Sequence, residues 1–147
     1  MKEITDPLER EEVFSKATHL FLAMADEPAP YLVPLFYGYE EGTLYIHCAR
    51  KGRKLDLLRG NPRVGFALAQ EPSIVGGETA CAFSARSRSI IGHGEAREVS
   101  DDEERRKGLD AIMRHYDERT PMYEEKSLAR TCVLAVDIKE VRGKRIG

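Results

Sequence analysis

Apolar and polar positions divide the chain into short β-type runs with helical stretches between them. Thr18–Ala25, Tyr31–Tyr37, Thr43–Cys48, Arg63–Ala69, Cys81–Ile91, Glu95–Val99 and Thr131–Val141 are rich in β-branched, aromatic and aliphatic residues, with Gly, Pro or Asp at many of their ends. Such runs predict strands. Before the first of them, Asp6 can cap a helix, Pro7 suits its first position and Glu9 stands three residues after the cap. Gly52–Gly60 has Leu55 and Leu58 one turn apart and stops at Asn61-Pro62. The clearest helix opens at Ser100, with Glu103 at the capping-box position and a stripe of Leu109, Ile112, Met113 and Tyr116.

The glycine-bounded segment Gly38–Gly42 predicts a hairpin joining Tyr31–Tyr37 to Thr43–Cys48. Pro34 then belongs at an edge or a bulge, where no ladder donor is needed. Gln70–Thr79 reads as a loop, and Gly92 and Gly94 mark a bend between two strands. Hairpin order without βαβ alternation predicts a mainly β fold, an antiparallel barrel of six to seven strands with peripheral helices, in a single domain over 1–147.

Composition narrows the class further. The 147 residues carry 23 Lys+Arg against 25 Asp+Glu, with 41% hydrophobic residues, an ordinary globular balance. No apolar run approaches the roughly 18 residues of a membrane span, and the acidic start resembles no leader, so no membrane partner is expected. Cys48, Cys81 and Cys132 are few, odd in number and widely spaced, which predicts reduced thiols in a cytoplasm. Near-neutral charge argues against nucleic acid as a partner.

Arg50-Lys51-Gly52-Arg53-Lys54 follows a strand and opens a helix. Free backbone N–H groups, a positive dipole end and these side chains make an anion site; a solvated basic loop is the alternative. The spacing is not that of a Walker loop, and Gly92-His93-Gly94 is not a dinucleotide fingerprint. His47-Cys48 lacks a second ligand pair for a metal, and the three cysteines read best as small buried hydrophobes. Arg86, Ser87, Arg88 and Ser89 are polar within a strand, with the serines on one face and the arginines on the other. Either face suits solvent or a ligand cleft.

The ordered set V-P-L, G-Y-x-x-G-x-L-Y, H-x-A-x-x-G-R-K (here His47, Cys48, Ala49, then Gly52-Arg53-Lys54) and N-P-R-V, with S-I-I-G-H-G and a closing V-R-G-K-R, resembles the pyridoxamine 5′-phosphate oxidase-like FMN-binding split barrels. Within them it is most similar to the nitroimidazole-resistance branch. The resemblance implies a homodimer with FMN at the subunit interface. By position it implies that Arg53 and Lys54 hold the FMN phosphate, that His47 and Cys48 lie along the flavin, that Val33 and Pro34 meet the isoalloxazine edge, and that Arg88 and Ser89 reach the cofactor from a later strand. Ser87 stands where that branch usually has an aromatic, and Cys48 where Ser or Thr is usual. No C-terminal Arg/His substrate segment is found, which argues against vitamin B6 oxidation. The expectation is an FMN-dependent oxidoreductase acting on a small organic acceptor, with His47 as a candidate proton donor. The alternative is a non-catalytic FMN- or haem-binding module.

Overall fold

Asp6 opens the first helix: its carboxylate accepts the Leu8 N–H (3.0 Å) and Pro7 follows in the first turn. The computed structural model describes residues 1–147. Its strands are β1 (Lys2–Ile4), β2 (Leu20–Met24), β3 (Tyr31–Leu35), β4 (Gly38–Glu40), β5 (Thr43–Cys48), β6 (Arg63–Ala69), β7 (Ser73–Val75), β8 (Ser84–Glu98) and β9 (Cys132–Ile146). The helices are α1 (Pro7–Lys16), α2 (Arg53–Gly60), α3 (Asp102–Tyr116) and α4 (Glu125–Arg130), with a single 3-10 turn over Ala80–Ala82.

Every strand pair is antiparallel, in the order β3-β2-β6-β8-β9-β5-β4, with β1 added to β9 and β7 to β8. The two ends of that order, β3 and β4, are joined by only Phe36 and Tyr37. The sheet therefore curls round and is closed by the chain itself rather than by a ladder, which is a split barrel. Tyr37 is fully buried at this joint, and its hydroxyl donates to the Phe14 carbonyl (2.5 Å) while its N–H donates to the Tyr116 hydroxyl (3.2 Å).

Several expectations are corrected. The nine strands exceed six to seven because β1, β4 and β7 are only three residues each. The hairpin is β4/β5 around Glu41 and Gly42, both at positive φ, while β3 pairs with β2 instead. The bend at Gly92–Gly94 does not split the strand; β8 runs fifteen residues with one register shift at His93/Gly94. The α3 cap is Asp101, whose carboxylate accepts the Glu104 N–H (2.9 Å), one residue after Ser100.

Leu44–Ile46 of β5 and Val133–Val136 of β9 are buried on both faces, which suits the near-continuous apolar sequence of those stretches. Leu44, Ile46, Leu134 and Val136 point into the barrel with Leu20, Leu22 and Phe66. Tyr45, Val133 and Ala135 point the other way, under Leu109 and Ile112 of α3. α2 contributes Leu55 and Leu58 to the barrel core, and α1 contributes Val13 and Phe14.

Candidate cofactor site

The start of α2 carries no side-chain cap; its N-cap is Gly52 at φ 144, and nothing lies within 4 Å of where a Cβ would stand. The first-turn N–H groups therefore have no capping side chain and carry positive partial charge. Arg53 and Lys54 add full charges beside them. Arg53 lies over the Tyr31 ring, its guanidinium 4.8 Å from the centroid, and pairs with Asp26. The hydrogen bond from Arg53 holds the Asp26 carboxyl below its ordinary range. Cys48 ends β5 close enough to Lys54 to feel its charge.

β3 is bonded only to β2, so its other edge presents free backbone groups. Pro34 sits in this edge strand, where its missing N–H leaves no ladder bond unmade. Val33 packs against the barrel core, and Pro34 lies on the opposite face. Beyond Pro34, a cavity of about 270 Å³ is lined by His19, Pro34, Leu35 and Phe36. His47 is exposed, on the β5 face opposite Cys48.

Arg88 and Ser89 fall elsewhere. Arg88 shares a face with buried Ile90 and is engaged by α1, bonding Glu12 (2.9 Å) and the Gln70 side chain (2.9 Å). Ser89 faces outward in register with Ala69. Three strand spacings, about 14 Å, separate β8 from β3. Arg53 thus links the start of α2 to β3 through Tyr31, and Lys54 lies within charge range of Cys48, while Arg88 and Ser89 sit three strands from β3 on β8.

Sequence reasoning missed Asp26, Tyr31 and Glu12. Asp26 was legible only as part of a strand-breaking Asp-Glu-Pro run, because its partner Arg53 lies 27 positions away. The bonds from Arg88 and Lys16 hold the Glu12 carboxyl down to about 2. A carboxylate depressed in the folded state stabilises fully above its unfolded value and loses that contribution as pH falls through the folded one. Urea midpoints should therefore drop between about pH 4.5 and 2, and Glu12→Gln should flatten that drop.

The pyridoxamine 5′-phosphate oxidase family model matches residues 6–145. The chain belongs to the pyridoxamine 5′-phosphate oxidase family. A crystal structure of a candidate 5-nitroimidazole antibiotic resistance protein from Bacteroides thetaiotaomicron VPI-5482 is 32% identical, with a TM-score of 0.88 over 99% of this chain and 87% of that one. The fold is shared more distantly with the flavocytochrome Anf3 from Azotobacter vinelandii (19% identity, TM-score 0.79, 97% of this chain and 68% of that one). It is shared likewise with the FAD and haem binding protein from Mycobacterium smegmatis (21% identity, TM-score 0.83, 98% and 73%). No curated protein matches the chain. Within this family the split barrel and the nitroimidazole-resistance likeness agree with the motifs read from the sequence. No helix is long and apolar enough to cross a membrane.

Proposed function

We propose that this protein holds FMN between the free edge of β3 and the start of α2, and uses it to pass electrons to a small organic acceptor of the nitroimidazole type. The observation that carries the reading is the uncapped start of α2 with Arg53 and Lys54 beside it. Arg53 offers a planar fork to the phosphate, Lys54 a point charge, and the first-turn amides further donors. The β3 edge offers N–H and C=O groups to the polar rim of a flat ring, with Val33 and Pro34 fixing its approach. Cys48 closes the phosphate end, and exposed His47 is the candidate for holding a proton near the ring. When bound, FMN supplies the electron transfer; the protein supplies binding, orientation and electrostatics. The family membership and the 32% identical structure support this reading.

The separation of Ser89 from Arg53 gives the site a second requirement. A second copy that brings its β8 to this β3 would let Ser89 and Arg53 meet one ligand from opposite sides. The outer face of β3-β2-β6-β8 suits that contact. Pro34, Phe21, Ala67 and Ile91 form one cross-strand row, and Phe21, Leu32 and Ile91 are exposed despite being apolar. The homodimer thus completes two equivalent clefts.

Purified protein should show flavin absorption bands and release FMN on heating, and should sediment as two chains. Ile91→Glu should yield single chains that lose the flavin. Bleaching by NAD(P)H without air, followed by recovery on adding a nitroimidazole, supports turnover; bound flavin that does not bleach supports a binding module. A Soret band would replace FMN by haem. Protein that stays colourless when FMN is added defeats the proposal.

A further inference from the structure

The rim of the barrel holds a second constellation. Cys48 is the last residue of β5 and Cys132 the first of β9, directly opposed in the ladder. Both are free, partly buried thiols. The Ile138 N–H donates to the Gly42 carbonyl (3.1 Å), which marks those residues as a hydrogen-bonded pair. Counting in twos along the unbroken register places Cys48 and Cys132 in the same class. Cα atoms of such pairs stand about 5.5 Å apart. A disulfide spans about 4.4–6.8 Å.

The two thiols differ in surroundings. Burial first, then the neighbouring Cys132, push the Cys48 thiol up to about 12. Cys132 instead lines a cavity of about 340 Å³ with Arg50, Arg59, Arg105, Glu98 and Thr131. Glu98 is taken up by Arg59 (2.8 Å). Arg50 donates to the Ala129 carbonyl, a neutral partner. Arg105 meets Asp102 (3.2 Å), whose side chain is 88% exposed. With Arg59 facing Glu98 and Arg105 facing Asp102, the Arg50 guanidinium leaves the cavity positive by one charge, and guanidinium forks match carboxylates.

We propose that Cys132 and Cys48 form a thiol–disulfide exchange site for small anionic disulfides, whose carboxylates are received by Arg50 and Arg105. The Cys132 thiolate attacks one sulfur of R–S–S–R, forming a mixed disulfide while the first R–S⁻ leaves and takes up a proton. Cys48 then gives up its proton and attacks Sγ of Cys132, expelling the second R–S⁻, which is protonated in turn. Two protein thiols are oxidised to one disulfide and one R–S–S–R is reduced to two R–SH. Half-buried Cys48 suits the second, intramolecular step, and cavity-facing Cys132 the first.

The test incubates the whole protein with glutathione disulfide and maps its thiols by mass spectrometry. The expected product is a Cys48–Cys132 cross-link. Cys48→Ser should stop at one glutathionyl group on Cys132, and Cys132→Ser should leave Cys48 unmodified. Replacing Arg50 and Arg105 by alanine should slow the reaction about tenfold with glutathione disulfide, since opposite charge steers encounter. It should leave the rate with uncharged bis(2-hydroxyethyl) disulfide unchanged. Unvaried protein should likewise prefer glutathione disulfide over cationic cystamine, a comparison that needs no variant to fold. Modification confined to exposed Cys81, or equal rates with all three disulfides, would overturn the proposal. The readout is thiol mass, so it stands apart from whether FMN binds.

Discussion

Exchanging Arg53 and Lys54 together for alanine should weaken FMN binding by about a hundredfold while leaving riboflavin binding unchanged. A hydrogen bond to a charged group contributes about 1.5–3 kcal/mol, so two of them span about 10²–10⁴ in affinity. The Arg53 side chain is 60% exposed, and solvent screening pulls the figure to the lower end of that range. Riboflavin lacks the phosphate, so comparing the two ligands by quenching of flavin fluorescence isolates the cradle from the rest of the cleft. Equal losses for both would place the phosphate elsewhere. Asp26 sharpens the test. Its carboxylate occupies one side of the Arg53 guanidinium and repels an incoming phosphate. Asp26→Asn should therefore tighten FMN several-fold, with no change for riboflavin. A loss instead would show that Asp26 orients Arg53.

Gly38→Ala should cost about 3 kcal/mol of stability, the upper part of the usual range for overpacking. A Cβ there would stand 2.3 Å from the Ile112 nitrogen, 2.4 Å from the Ala111 carbonyl carbon and 2.7 Å from its oxygen. All three are backbone atoms of α3, so no side chain can rotate away and the helix itself must lift off β4. Gly60→Ala is the control: nothing lies within 4 Å of the added methyl, and alanine favours the helix that Gly60 ends. Urea unfolding should show a lower midpoint for the first variant and an equal or higher one for the second. Hydrogen exchange in the first should quicken along α3 before the barrel.

Local signals carried much of this architecture, and distant partners carried the rest. Asp6-Pro7 marks α1 because cap and first turn are neighbours in sequence. β9 was legible as far as Val141 from its apolar and β-branched run, but its basic end, which pairs with β1 and β8 up to Ile146, read as a tail. The hairpin at Gly38–Gly42 was misplaced because turn chemistry shows where the chain reverses, not which flanking strand stays paired; β3 is already paired with the preceding β2, and the chain leaves it at Phe36–Tyr37 for β4. β1 and β7 are three residues long, below what alternation can register. The uncapped start of α2 with Arg53 and Lys54 beside it was visible, since strand end, glycine and cations are contiguous. Asp26 and the Glu12–Arg88 pair were not, because charges brought together across 27 and 76 positions leave no trace in spacing.

β9 has a consequence for the order of assembly. It pairs with β1, β5 and β8 and follows every other strand in sequence. During synthesis β2, β3 and β6 can associate early, but the seam through β8, β9 and β5 must wait until β9 has left the ribosome. Until then β5 is paired only with the three-residue β4, the β9-facing edge of β8 is open, and the contacts that finally join the two are distant in sequence and slow to form. Nascent chains halted before Cys132 are therefore the form most exposed to aggregation, and holding factors that act on emerging chains would matter more for this protein than for one whose central strand is made first.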